Sequence, residues 1–124
     1  MKRLIRDESG ASAVEFALTA PAFMAALIGV VEIGLLVFAQ IGLQSATELA
    51  ARCGSINKTV CGSTTAIQSF AASNMPGFTV PASTFSVTNP SCGTQVTAAY
   101  SFGFVASYFG VPSLTLNAKA CFPK

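Results

Sequence analysis

The 124-residue chain contains no histidine, and only 10% of its residues are charged. Histidine is the commonest general base and the commonest metal ligand, so its absence leaves no Ser-His-Asp or Cys-His arrangement for catalysis. No glycine-rich phosphate-binding loop is present either. The sequence therefore predicts a protein that is not an enzyme, binds no metal and needs no cofactor.

The few charges are unevenly distributed. Five lie within the first eight residues, whereas none occurs between Lys58 and Lys119. A surface with so little charge has little electrostatic repulsion against self-association, which suits a component of an assembly. The net charge of +2 gives no indication of nucleic-acid binding.

An apolar stretch follows the charged leader. Phe16–Val31 carries no charge, and Ala11–Val14 and Ile33–Ala39 extend it far enough to span a membrane. The basic residues of the leader predict a cytoplasmic N-terminus, with the rest of the chain outside the inner membrane. A secretory signal peptide cut after Ala39 is an alternative, but Glu32 interrupts the apolar run and the leader contains acids.

The junction between leader and apolar stretch, residues 6–16, reads RDESGASAVEF. A carboxylate costs about 2.5–3.5 kcal/mol at the bilayer centre and less near the interface, so Glu15 is a candidate functional residue. Gly10 has no side chain, and the peptide there can lie close against the catalytic groups of a protease. A cut after Gly10 would expose a cationic amine at Ala11, whose charge Glu15 is placed to offset.

This junction resembles a class III prepilin-peptidase site, cut after Gly10 with Glu15 fifth in the mature chain. The pair Glu15-Phe16 resembles the TadE/TadF-type minor pseudopilins of tight-adherence (Flp) type IVb pilus systems. The segments ALTAP at 17–21, GVVEIG at 29–34 and AAR at 50–52 are similar to the rest of the TadE-like pattern. The resemblance covers residues 6–54.

The resemblance implies a minor pseudopilin that takes part in pilus assembly and is a substrate of a prepilin peptidase. The implied partners are other pilins or pseudopilins, the inner-membrane assembly platform and membrane lipid. Gly10, Ala11, Glu15 and Phe16 form the implied processing site. Glu15 is implied to pair with the N-terminus of a neighbouring subunit, although it could instead extend to the cytoplasmic headgroups.

The implied location is the bacterial inner membrane, with a single span and a periplasmic C-terminal domain, and with incorporation into an extracellular pilus left open. Removing the leader would leave 114 residues, which is large for a major Flp pilin and favours the minor role. An uncleaved, membrane-anchored periplasmic binding or assembly module is the alternative. A type II secretion pseudopilin would carry phenylalanine where this chain has Ala11.

One long helix is predicted from Ala11 to about Gly54. It would be roughly 63–66 Å long, which exceeds a bilayer core. Glu15 and Pro21 are the predicted assembly residues. Pro21 indicates either a softened helix like that of pilins or an ordinary proline within a membrane helix. A stripe of small residues would contact either a neighbouring helix or, as we favour, the outer domain of the same chain. The stripe consists of Gly42, Ala46, Ala50 and Gly54.

Residues 55–124 are predicted to form a small outer domain, preceded by a leader at 1–10 and the helical region at 11–54. Ser63 or Thr64 begins a short helix, and period-two patterns predict strands at Thr84–Thr88, Thr94–Phe104 and Leu114–Phe122. The simplest arrangement is an α+β, pilin-like fold with a three-stranded antiparallel sheet on the helix. The apolar connection Val105–Phe109 is either an exposed contact patch or part of the core.

All four cysteines lie in the part of the chain predicted to be outside the membrane. An oxidising compartment predicts two disulfides, for which three pairings exist. We favour Cys53–Cys61, which joins the helix end to its following loop. We favour Cys92–Cys121 because a hairpin of the second and third strands would bring these residues together. No C-x-x-C pair supports a zinc site.

Overall fold

A computed structural model of the chain describes residues 9–124. Leader residues 1–8 lie outside the described part, and they include the basic residues from which the membrane orientation is predicted. The long N-terminal helix and the three-stranded antiparallel sheet confirm the predicted α+β class. The regular elements are α1 (Ser9–Ile56), α2 (Thr64–Ser73), β1 (Phe85–Thr88), β2 (Thr94–Phe102) and β3 (Leu114–Phe122). Two short 3-10 segments, Ala82–Thr84 and Val105–Phe109, precede β1 and β3.

The chain forms two compact units that divide within α1, between Gly34 and Leu35. In the N-terminal unit, α1 keeps its apolar side chains exposed, among them Phe16, Leu18 and Phe23. Only 6% of an apolar 18-residue stretch of α1 is buried. By its length and composition, the helix is able to cross a membrane. Water does not favour this much exposed apolar surface, so the unit needs lipid or other apolar partners.

The second unit, Leu35–Lys124, contains the hydrophobic core. Its sheet has the order β1-β2-β3, with Phe85 opposite Ala98 and Phe102 opposite Leu114. One sheet face joins one side of α1 in a single buried cluster. The sheet contributes Phe85, Val96, Ala98, Phe102, Leu116 and Ala118, and the helix contributes Ala39, Leu43, Ala46, Ala50 and Ala51.

The strand boundaries differ slightly from the sequence prediction. β1 begins at Phe85 because Thr84 closes the preceding 3-10 segment. β2 ends at Phe102, and Phe104 packs edge-on against Phe102 with ring centroids 5.3 Å apart. Leu114 shares a strand face with buried Leu116 but is 46% exposed, because it begins β3, which is an edge strand of the sheet.

The small-residue stripe of α1 contacts the outer domain of its own chain. Ala46 and Ala50 are completely buried. A Cβ atom at Gly42 would lie 2.9 Å from Cγ of Pro76, and one at Gly54 would lie 2.8 Å from Cγ2 of Thr94. The stripe therefore allows the domain to approach the helix backbone closely, in agreement with the interpretation that the sequence favoured.

Side chains of α1 also bond to carbonyl groups of β3, which is an edge strand of the sheet. Gln40 Nε2 donates to the Asn117 carbonyl at 2.9 Å, and Gln44 Nε2 donates to the Lys119 carbonyl at 3.4 Å. Four helical residues rise about 6 Å and two strand residues advance about 6.6 Å, so the two spacings match. β3 consequently runs alongside α1 in the same direction, and part of an otherwise unpaired strand edge is covered.

Two disulfides connect the helix end and the sheet to their neighbouring loops. Cys53 pairs with Cys61 across a Cα–Cα distance of 5.7 Å, and Cys92 pairs with Cys121 across 6.3 Å. This is the pairing that the sequence favoured. Ser63 caps α2 by accepting a hydrogen bond from the Ala66 amide, which satisfies one otherwise unpaired helical N–H group.

We expect Ala46→Leu to destabilise the second unit. The larger side chain would have to enter a fully packed helix–sheet contact, and overpacking of this kind costs about 1–3 kcal/mol. Ser45→Leu is the matched control, because Ser45 is the exposed neighbour on the same helix. Equal free energies of unfolding for the two variants in detergent solution would show that the stripe does not seat the domain.

The two disulfides should differ in their reactivity towards a mild thiol reductant. Attack requires access to a sulfur atom, and Cys61 is 1% exposed whereas Cys92 lies at the surface. We expect Cys92–Cys121 to open first under native conditions. Stepwise alkylation followed by peptide mass analysis measures the order, and earlier labelling of Cys53 and Cys61 would contradict this expectation.

Candidate processing and assembly segment

The predicted processing and assembly residues all lie on the exposed N-terminal unit of α1. Gly10, Ala11, Glu15, Phe16 and Pro21 are exposed, and Phe16 is 72% exposed. Within residues 9–124, a Cβ atom built on Gly10 would meet nothing within 4 Å. This segment is therefore accessible to a second protein or to lipid.

Ala11 and Glu15 lie one helical turn apart. Residues four apart share a helix face and are separated by about 6 Å along the axis, while side chains tilt towards the N-terminus. The Cα–Cβ bond of Glu15 therefore tilts towards the helical turn that contains Ala11. This arrangement allows Glu15 to approach an amine at Ala11 of its own chain, and its exposure also leaves it open to a neighbouring chain.

The helix is continuous through Pro21, so no break is present there. Proline lacks an amide hydrogen, and the Ala17 carbonyl consequently loses its usual helical partner. Thr19 Oγ1 donates to the Glu15 carbonyl at 3.0 Å and approaches the Phe16 carbonyl at 3.3 Å. Such back-bonding slightly destabilises and often bends helices, so two weakening features lie within this short stretch.

Sequence reasoning missed the contribution of Thr19 and of the two helix glutamines. The signal for Thr19 is a hydroxyl residue two positions before a proline in an apolar helix. The signal for Gln40 and Gln44 is a pair of long amides four residues apart on one helix face. Both signals were present, but neither specifies a partner without the fold.

No catalytic or metal-binding cluster accompanies this segment in the described part of the chain. No group of three or more histidine, cysteine, aspartate or glutamate residues there could hold a metal ion. The cysteines belong to the second unit and are all disulfide-bonded. They stabilise the domain fold rather than form a reactive site.

The second unit carries two further surface features. The segment Val105–Phe109 is exposed, with Tyr108 and Phe109 at 91% and 88%, so it is a surface patch rather than part of the core. An open groove of about 510 Å³ lies between α1 and β3. Its lining includes Glu48, Arg52 and Lys119, which gives the groove charges of both signs.

Comparison with known families supports the motif assignment. Residues 10–52 match the family model described as TadE-like protein. The match begins at Gly10 and ends one residue before Cys53, so it covers about a third of the chain and none of the sheet. It confirms the resemblance drawn from residues 6–54. No curated protein and no solved structure matches the chain.

The matched region lies entirely within α1. By its length and composition, the long apolar helix fits a membrane anchor. The matched region contains the exposed apolar half of α1 and the predicted processing residues, and it continues into the half that packs against the sheet.

Proposed function

We propose that this chain, TadE-like over residues 10–52, is a minor pseudopilin of a tight-adherence pilus system. It is anchored in the bacterial inner membrane by α1, with a cytoplasmic N-terminus and a periplasmic domain. A prepilin peptidase cuts it between Gly10 and Ala11, and it then takes part in pilus assembly without catalysing a reaction. The observation that carries the proposal is the exposed apolar half of α1 within the TadE-like region.

The division of α1 supports this role. The second half of the helix, from Ala39 onward, buries one face against the sheet of its own chain. The first half carries Ala25 and Gly29, and nothing lies within 4 Å of a Cβ atom built on Gly29. The first half of the helix is therefore an exposed surface for contacts with pilins, the assembly platform and membrane lipid.

The local structure around Gly10 supports proteolytic processing. Glycine in a helix is less stable than alanine by roughly 0.5–1 kcal/mol, so the helix opens more easily at this position. A protease needs an accessible, extended peptide, and Gly10 is exposed with no neighbouring side chain to displace. After the cut, the charge at Ala11 lies one turn from Glu15 and requires a counterion in the low-dielectric membrane boundary.

The disulfides support a periplasmic location for the second unit. Disulfides persist in the periplasm but are rare in the cytosol, and the four cysteines of this unit form two bridges. The second unit is small, so bridges that restrict the unfolded chain contribute a substantial part of its stability, about 2–4 kcal/mol each.

An uncleaved periplasmic binding module is the alternative. Its binding surface would be the groove lined by Glu48, Arg52 and Lys119, which lies outside the processing segment. Such a module would require neither a cut after Gly10 nor a carboxylate at Glu15. The two functions therefore differ in the state of the N-terminus.

We expect the mature protein to begin at Ala11 in cells that contain the prepilin peptidase and to keep residues 1–10 in cells that lack it. Intact mass of the protein extracted from membranes under non-reducing conditions measures this directly. The same spectrum should show a mass lower by the hydrogens lost in forming two disulfides.

A full-length chain in both strains would exclude processing and favour the anchored module. A chain that begins at Gln40 would instead identify a secreted domain, and the filament role would fall. Gly10→Leu provides an internal control, because a bulky side chain at the cut should reproduce the unprocessed mass in the presence of the peptidase.

We expect Glu15→Gln to preserve the cut and to abolish co-assembly with pilins. Removal of one partner from an ion pair in a low-dielectric setting costs about 3–5 kcal/mol, which weakens association by more than about a hundredfold. Co-purification of the tagged variant with pilin subunits, together with counts of surface pili, measures the effect.

Glu48→Gln is the matched control, because Glu48 is exposed in the outer unit and accepts a hydrogen bond from Gln44 at 2.8 Å. The same chemical change there should leave co-assembly intact. Normal co-purification of both variants would mean that Glu15 only extends to the headgroups.

A further inference from the structure

We infer that the aromatic loop, defined as Val105–Phe109, is a second membrane contact that inserts into the outer interface of the lipid bilayer. The inference rests on the proposed membrane anchoring of α1. Tyr108 and Phe109 expose 91% and 88% of their surfaces, and the loop carries no charge. Two adjacent aromatic side chains with this exposure need an apolar partner, and the position of the loop identifies lipid as that partner.

The aromatic loop lies at the end of the second unit where α1 enters it. β3 runs alongside α1, and the Asn117 carbonyl is level with Gln40 through their hydrogen bond. Going back from Asn117 to Leu114 covers about 10 Å of strand. Going back from Gln40 to Leu35, where the unit begins, covers about 7.5 Å of helix. Leu114 therefore reaches the level of Leu35, and the loop precedes Leu114 in the chain.

A chain of aromatic contacts holds the stem of the aromatic loop at this level. The Phe38 ring of α1 lies 6.0 Å from the Phe78 ring, and Phe78 lies 6.4 Å from Phe102 at the end of β2. Phe102 in turn packs edge-on against Phe104, which immediately precedes the loop. The loop thus begins close to the level of Phe38 on the helix.

This level corresponds to the outer boundary of a bilayer. A hydrocarbon core of about 30 Å takes about 20 helical residues, so a span that begins at Ala11 ends near Val31. Leu35 lies about 6 Å further along the helix, within the headgroup region. Tyrosine is enriched at this depth because its ring is apolar and its hydroxyl is polar, which matches Tyr108.

The backbone of the aromatic loop is suited to such an environment. The Ser107 amide donates to the Phe104 carbonyl at 3.0 Å, and the Gly110 amide donates to the Ser107 carbonyl at 3.0 Å. Gly110 closes the turn with a φ of 88°, a conformation that favours glycine. Because the turn satisfies much of its own hydrogen bonding, insertion exposes few unpaired polar groups to lipid.

Tryptophan fluorescence tests the inference, since the natural chain contains no tryptophan. The full chain with Phe109→Trp is reconstituted into vesicles of phosphatidylethanolamine and phosphatidylglycerol that carry brominated acyl chains in both leaflets. We expect a blue-shifted emission that loses intensity when brominated lipid replaces ordinary lipid. Intact disulfides, verified by non-reducing mass, show that the variant has folded.

Two companion variants separate the possible outcomes. Phe23→Trp, in the apolar half of α1, should be quenched, whereas Ile56→Trp, at the far end of the helix, should not. If Phe109→Trp behaves like Ile56→Trp, the loop faces water and the inference is wrong. A blue-shifted but unquenched Phe109→Trp would indicate a protein partner and would also overturn it. Lack of quenching at Phe23→Trp would instead show that the first half of α1 does not lie in the bilayer, and the proposed membrane anchoring itself would be wrong.

Discussion

The contact between the small-residue face of α1 and the sheet is the interaction on which the second unit depends. A sheet of three strands needs a second layer that covers its hydrophobic face, and the short β1 contributes only four residues to this sheet. The helix supplies the missing layer, and glycine and alanine at four-residue spacing let the sheet approach its backbone. A bulkier face would move the sheet away from Gln40 and Gln44, and the hydrogen bonds to β3 would be lost with the packing.

The same helix meets two different environments along its length. From Ala39 onward its buried face is formed by small and aliphatic residues that fit against protein. Before Gly34 its large apolar side chains remain exposed, which is favourable only in lipid or against other apolar helices. The change in side-chain size along α1 therefore marks the transition from an exposed apolar surface to one that is buried within the chain.

The sequence predicted the helix, the three strands and the favoured cysteine pairing because each depends on local pattern. Period-two alternation identified β3, and the hairpin between β2 and β3 brought Cys92 and Cys121 together. The recognition of Gly10, Glu15 and Phe16 rested on a motif, and the family match covers that same region. These features are encoded within short stretches of chain.

Features that depend on distant partners were less accessible. The pattern left Val105–Phe109 open between a surface patch and a core segment, since an apolar run has the same composition in both. The end of β2 at Phe102 decides between a surface patch and a core segment, because the chain leaves the sheet before it reaches Tyr108 and Phe109. Likewise, the roles of Gln40 and Gln44 require the alignment of β3 with α1, which no local pattern contains.

The packing of the sheet against α1 also restricts which surfaces of the chain are available for contact with other subunits. A face of α1 that is already packed against its own sheet cannot serve a neighbouring subunit without unfolding the domain. Contacts with other subunits would therefore need surfaces that remain exposed, such as the helix before Gly34 or the outer surface of the sheet. The helix before Gly34 contains Glu15, the weakened stretch at Thr19 and Pro21, and the small residue Gly29. Subunit contacts confined to this part of the helix would leave the packing of α1 against the sheet undisturbed.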